Sequence, residues 1–164
     1  MSVSAHVRKI ALGCLIWALA AASSADAAAD RPLAPTATTE EEVRAAVVRY
    51  FEVWSNADMR AYRRSFHSSA VIHHRDARGR VRQMMLDAFI AGQRAAHASV
   101  PGMVEVPVSI EISHDAHAAQ AKVHWRLVAN EEVSCGEDHF QFVRVGANWK
   151  ITSLLFYGSP CRAP

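Results

Sequence analysis

Cys135 to Cys161 reads CGEDHFQFVRVGANWKITSLLFYGSPC: two apolar runs, a turn at Gly146-Ala147-Asn148, and a cysteine at either end. Apolar and polar residues alternate on both sides of the turn, which predicts a β-hairpin with one face for a core. Pairing Val145 with Asn148 sets a register in which Asp138 lies opposite Leu155, Phe140 opposite Ser153 and Phe142 opposite Ile151. Cys135 then falls opposite Gly158 with Cys161 just beyond it, so a Cys135–Cys161 disulfide is expected to close the open end.

Working outward, Val123, Trp125 and Leu127 alternate with Lys122, His124 and Arg126 in a strand that pairs with the hairpin. With the intervening turn near Glu132, Trp125 meets Phe140 and Val123 meets Phe142. One face of this sheet carries Val123, Trp125, Leu127, Phe140, Phe142, Trp149, Ile151 and Leu155, with Asp138, Ser153 and Tyr157 as its polar members. The other carries Lys122, His124, Arg126, His139, Gln141, Lys150 and Thr152 among Val143, Leu154 and Phe156, and suits water or a second subunit. A preceding strand alternates Val104, Val106, Val108, Ile110 and Ile112 with polar residues, and Pro107 within it marks an edge or a bulge.

The cover for the apolar face comes from the front of the chain. Thr39 with Glu42 makes a capping box for a helix whose Val43, Ala46, Val47, Tyr50, Phe51 and Trp54 share one side. Asp58 caps a short second helix, expected to end at His67. Ala70 to Arg75 and Val81 to Met84 read as strands around a turn at Gly79, and Leu86 to Ser99 as a third helix stopped by Pro101-Gly102. The order is helix, helix, strand, strand, helix, then four strands, an α+β fold.

At 164 residues the chain is one domain by size, and a net charge of +2 points to no general partner. Residues 1–29 read as a signal peptide: Arg8 and Lys9, an apolar run from Ile10 to Ala22, and a small-residue exit ending at Ala27 or Ala29. That run is shorter than a bilayer span requires, so no stable membrane span is expected after cleavage. A periplasmic or secreted location follows, in a compartment that oxidises thiols. Residues 30–38 are a flexible linker. No phosphate loop, serine elbow or zinc-protease helix occurs, so no cofactor is called for, and export makes nucleic acid an improbable partner. His73 and His74 are adjacent on a strand and point to opposite faces, so no metal is expected there.

The segments EEEVRAAVVRYFEVWSNADMRAYRRSFHSSAVI and EDHFQFVRVGANWKITSLLFYG carry a resemblance. Tyr50-Phe51, Phe66-His67 before a strand, Asp138 opening the fifth strand and Asn148-Trp149-Lys150-Ile151 resemble the nuclear transport factor 2-like superfamily, within it the SnoaL-like branch with the "putative lumazine-binding" proteins. The resemblance spans 39–158 and leaves 159–164 as a C-terminal tail. It implies a cystatin-like cone, a curved and mostly antiparallel sheet wrapped around three N-terminal helices, with a pocket inside. Members of the superfamily include isomerases, hydrolases, dehydratases and non-catalytic binding or dimerising modules, so the fold leaves the chemistry open.

Asp138 is the sharpest polar signal, because a carboxylate among Phe140, Trp125 and Leu155 must be hydrogen-bonded, carry a raised pKa or line a wet pocket. It reads as a pocket acid or base, or as a strand-end carboxylate satisfying amides. In similar folds the position of His67 is near the pocket mouth, which offers it as an acid/base partner; a helix-end histidine is the plainer reading. Tyr50, Trp54, Trp125, Phe140, Ser153 and Tyr157 are the expected pocket lining. The leading expectation is an exported protein binding a small apolar or heterocyclic molecule. An isomerase- or dehydratase-like enzyme using Asp138 and His67, and a homodimer built on the open sheet face, are the alternatives.

Overall fold

The computed structural model describes residues 37–161, so the signal peptide and nearly all of the linker expected from the sequence lie outside the described residues. The elements follow the expected order: α1 (Thr39–Ser55), α2 (Met59–Arg64), β1 (Phe66–Arg75), β2 (Val81–Met85), α3 (Leu86–Ser99), β3 (Val104–His114), β4 (Ala118–Ala129), β5 (Glu132–Val145) and β6 (Asn148–Ser159). The sheet has six strands in the order β2-β1-β6-β5-β4-β3, antiparallel except for the parallel pair β1–β6. No described helix is long and apolar enough to cross a membrane.

α1 opens one residue before the expected cap. Thr38 accepts from the Glu41 amide, and the Glu41 carboxylate accepts from the Thr38 amide at 2.7 Å. Asp58 caps α2 as expected, accepting from the Ala61 amide at 2.8 Å. α2 ends at Arg64, however, and does not reach His67. The Ile151 amide donates to the Ser65 carbonyl at 3.0 Å, so the chain is drawn into the sheet from Phe66 onward. β5 likewise starts earlier than expected: the turn from β4 is at Asn130-Glu131, both with positive φ, which pairs Ala129 with Glu132. Asp138 therefore lies inside β5. The four-residue change in pairing keeps every β4 and β5 side chain on its expected face, because strand parity is preserved by an even shift.

Two β-bulges change that parity elsewhere. In β5–β6 the pairs Val145–Asn148 and Phe142–Ile151 hold, but Gln141 then pairs with Ser153, and Thr152 is the extra residue. Beyond it Phe140 faces Leu154 and Asp138 faces Phe156, so Leu154 and Phe156 turn toward the helices, while Ser153, Leu155 and Tyr157 turn outward. Leu154 is accordingly 1% exposed. In β3–β4 a bulge at Val108, next to Pro107, separates Pro107–Trp125 from Ser109–His124. Ile110 and Ile112 face the core as expected, but Val104, Val106 and Val108 are exposed and Glu105 points inward with Leu127. β3 is an edge strand, as Pro107 implied.

The core lies between the inner sheet face and the helices. Val43, Val47, Phe51, Tyr62, Ile72, Val123, Phe140 and Ile151 are all but inaccessible to solvent. α1 lies against β3 and α3 against β1. The Cys135–Cys161 disulfide is present, with Cα atoms 5.0 Å apart, and ties the strand opposite β6 to the residues that follow it. Cys135 pairs with Ser159 in the ladder, one residue beyond the expected Gly158, again because of the Thr152 bulge.

Candidate functional site

A cavity of about 220 Å³ opens between α1, α2 and α3 on one side and the inner face of β3–β6 and β1 on the other. Its lining combines Tyr50 and Trp54 from α1, Tyr62 from α2, Phe89 and Gln93 from α3, and Glu105, Trp125, Asp138, Phe156 and His74 from the sheet. Asp138 is 3% exposed, and its Oδ1 accepts the Trp125 indole N–H at 2.9 Å. Gly136 makes that contact available. It pairs with Trp125 across the strands, and the indole lies where a side chain at 136 would stand.

Glu105 brings a second carboxyl to the same space. Its backbone is clamped to the end of α1, with the Ser55 hydroxyl bonding the Glu105 carbonyl and amide at 2.9 Å each. The clamp fixes this stretch of the edge strand so that the side chain enters the cavity. Burial pushes the Asp138 carboxyl up to about 8, opposed by the Trp125 N–H. Burial, and then the Asp138 charge, push Glu105 well above the usual carboxylate range. Close to neutrality the pair therefore keeps protons that exposed carboxyls would have lost, so it can donate a hydrogen bond to a neutral acceptor.

Above the acids, the Tyr62 hydroxyl donates to the Tyr50 hydroxyl at 2.7 Å, which leaves the Tyr50 proton for another acceptor. Both phenols are raised well above 10, chiefly by burial, so both stay neutral donors. Trp54 donates to Gln93 Oε1 at 2.7 Å, which fixes the indole against α3. Phe156 and His74 form the floor, their rings stacked with centroids 4.7 Å apart.

Of the expected pocket residues, Asp138, Tyr50, Trp54 and Trp125 share this cavity. Phe140 is 1% exposed and packs behind Tyr50 as core, outside the lining. Ser153 and Tyr157 are on the outer face, put there by the Thr152 bulge. Tyr157 donates to Glu137 at 3.0 Å and stacks on His139, while Ser153 lines a shallow outer depression with His139 and Gln141. His67 lies near the start of β1, bonded through Nδ1 to Ser69 Oγ at 2.7 Å, and does not line the cavity holding Asp138. Leu154 and Phe156, expected at a subunit contact, point inward for the same reason as Ser153 and Tyr157 point out.

Sequence reasoning missed Glu105, Tyr62, Gln93 and His74. Tyr62 and Gln93 were legible as members of apolar helix faces, and His74 as the inward one of the two adjacent histidines. Glu105 was hidden by the Val108 bulge, which makes a regular Val-Glu-Val alternation face the opposite way. Among the described residues no group of three or more His, Cys, Asp or Glu is placed to hold a metal ion.

A curved sheet closing on three helices around an acid-lined cavity is the nuclear transport factor 2-like, cystatin-like fold. Residues 38–157 match the family described as "Putative lumazine-binding", and the chain belongs to that family. Among solved structures it is similar to a protein of unknown function with a cystatin-like fold from Nostoc punctiforme (14% identity, TM-score 0.60, covering 77% of this chain and 96% of that one). It is also similar to a nuclear transport factor 2-like protein of unknown function from Shewanella baltica (19%, 0.58, 77% and 100%). A third is a "putative dehydratase" from Streptomyces avermitilis (11%, 0.62, 74% and 96%). At these identities the likeness is one of fold. No curated protein matches the chain.

Proposed function

We propose that the chain binds a small, flat and largely apolar molecule in the inner cavity and holds a carbonyl or ring heteroatom of it through Asp138. The observation that carries this reading is the placement of a buried carboxyl, pushed up to about 8, in the wall of a cavity lined by Tyr50, Trp54, Trp125, Phe89 and Phe156. Aromatic walls with a few fixed polar groups are what small-molecule sites require. The family description supports a heterocycle, since lumazine is a flat bicycle with ring nitrogens and carbonyls. Differential thermal denaturation with lumazine, steroids and aromatic polyketides tests it. A ligand at a hundred times its Kd should add about 2.7 kcal/mol of stability. Absence of stabilisation by all three classes would overturn the reading.

A second reading, proton transfer beside a carbonyl, is favoured by one further observation: Glu105 and Asp138 are two carboxyls whose charges oppose each other. In that reading Asp138 and Tyr50 donate to the carbonyl oxygen while Glu105, once ionised, takes the neighbouring proton. His67, the acid or orienting group expected from the sequence, has no part in it. Deuterium exchange into bound ketones, followed by NMR, tests the reading. Exchange no faster than in buffer would remove it.

Export is proposed alongside, supported by the Arg8-Lys9 start, the apolar run after it and the Cys135–Cys161 bridge. N-terminal sequencing of the protein from a secreting cell should begin near Asp30, and an intact Met1 start would contradict it.

A further inference from the structure

The inner face carries a line of four side chains that crosses the sheet at right angles to its strands. Asp138 on β5 pairs with Phe156 on β6, Phe156 with His74 on β1, and His74 with Arg82 on β2. Directly paired residues share a face, so all four look toward the helices. Neighbouring strands lie about 4.8 Å apart, which separates the backbone at Asp138 from that at Arg82 by about 14 Å. The line runs from a buried acid, over two stacked rings, to a cation.

The hollow above this line is continuous. His74, Phe89, Gln93 and Phe156 line the inner cavity, and the same four line a groove of about 490 Å³ that continues to Arg82 and Met84. Gly92 on α3 keeps the groove open. It stands in the middle of a helix, where glycine is less favourable than alanine, and the space where its Cβ would be has no neighbour within 4 Å.

Arg82 is exposed and makes no ion pair among the described residues, whereas Arg75, Arg80 and Asp87 have partners. Arg80 pairs with Asp76 at 2.7 Å, Arg75 lies over the Tyr157 ring on the outer face, and Asp87 is held by Arg63. Arg82 is thus the cation that the groove presents to whatever enters it.

We propose that the cavity's ligand is an elongated aromatic monocarboxylate: its carbonyl end accepts from Asp138, its ring lies on Phe156 and His74, and its carboxylate pairs with Arg82 at the mouth. A single guanidinium fits a monoanion, and a fork-shaped donor suits a carboxylate. This inference rests on the binding reading above and adds the shape and charge of the molecule.

The test uses the full chain and three probes: 2-acetylnaphthalene, 3-(6-acetylnaphthalen-2-yl)propanoate and the primary amide of that acid. Quenching of tryptophan emission reports binding, since Trp54 and Trp125 line the cavity. The acid should bind about threefold more tightly than its amide, as an exposed ion pair contributes, and added salt should shrink the difference. In Arg82→Gln the ratio should fall to near one, while Arg78→Gln, on the neighbouring turn, should keep it. Gly92→Leu should weaken the acid and the amide together by filling the groove. An acid no tighter than the amide, or an advantage that survives Arg82→Gln, overturns the inference while binding of 2-acetylnaphthalene keeps the cavity reading. If none of the three probes binds, the inference falls, and the cavity reading is decided by the thermal denaturation with lumazine, steroids and polyketides.

Discussion

Gly136 lies directly opposite Trp125 across β4 and β5, and a Cβ on it would stand 2.1 Å from the indole Cζ2 and 2.3 Å from the Tyr157 carbonyl oxygen. The first contact could be relieved by moving a side chain, but the second is backbone. Gly136→Ala should therefore displace Trp125 from Asp138 and cost about 1–3 kcal/mol by overpacking. Urea unfolding reads the stability and tryptophan emission reads the indole. Unchanged stability with unchanged emission would show that the close packing at Gly136 is not needed.

Asp138 makes stability depend on pH in an unusual direction for a carboxylate. Unfolded, it titrates near 3.8, and folded, at about 8. Between those values the folded state keeps a proton that the unfolded state releases, so its contribution is complete below the lower value and is lost as pH rises through the upper one. The loss is at most about 1.4 kcal/mol per pH unit for one proton. Asp138→Asn keeps an acceptor for the Trp125 N–H and removes the titration, so its stability should fall less steeply over this range than that of the unaltered chain. Glu105, raised for the same reasons, should give the same sign, and adding Glu105→Gln should flatten the profile further. Urea midpoints at a series of pH values measure the slopes. An unaltered chain whose stability rises from pH 5 to 8 would contradict the burial of both acids.

The disulfide closes a loop with a sequence separation of 26. Bridging a loop of that size restricts the unfolded chain and stabilises by about 2–4 kcal/mol. Replacing Cys135 and Cys161 together by serine should lower stability by that amount and leave the sheet order intact, because both cysteines lie at the end of the hairpin away from its turn. Alkylation of the unreduced full chain should mark Cys14 alone. Marking of all three cysteines would show the bridge to be absent.

Much of this fold was readable because helix faces and turns leave local marks. Thr38 to Glu42, Asp58, Gly79 and Pro101-Gly102 punctuate the elements at or within a residue of where they occur. Asp138 and Trp125 were legible as residues of the inner sheet face because nothing between them and the nearest turn breaks the strand period, and Tyr50 and Trp54 because they share the apolar face of α1. Ser153, Tyr157 and Glu105 were misplaced for one physical reason: each lies beyond a bulge, and a single extra residue exchanges the two faces of everything that follows. Pro107 announces the bulge in β3, since it cannot donate to a ladder. Thr152 announces nothing, being a β-branched residue in a regular-looking run. His67 was misplaced differently, by a parallel pairing with a strand more than 80 residues later that no local pattern records.

The Thr152 bulge can be tested directly by deletion. Removing Thr152 joins Ile151 to Ser153, which lets Phe142–Ile151 and Gln141–Ser153 become consecutive pairs and leaves Leu154 and Phe156 facing inward. Removing Leu155 instead joins Leu154 to Phe156, so Phe156 takes an outward position and Tyr157 an inward one. The first deletion gives up the bend and the Thr152 hydroxyl bond to the Gln141 carbonyl at 3.2 Å. The second withdraws Phe156 from Phe89 and His74 and buries a phenol that now bonds Glu137. Deletion of Thr152 should keep cooperative unfolding and protection of Cys135 and Cys161 from alkylation in the unreduced chain. Deletion of Leu155 should destabilise further, by about half of the 3–5 kcal/mol that loss of a fully buried aromatic costs, because Phe156 is half-buried. Equal damage from the two deletions would mean that the bend at Thr152, and not the facing of Leu154 and Phe156, is what the fold requires of this strand.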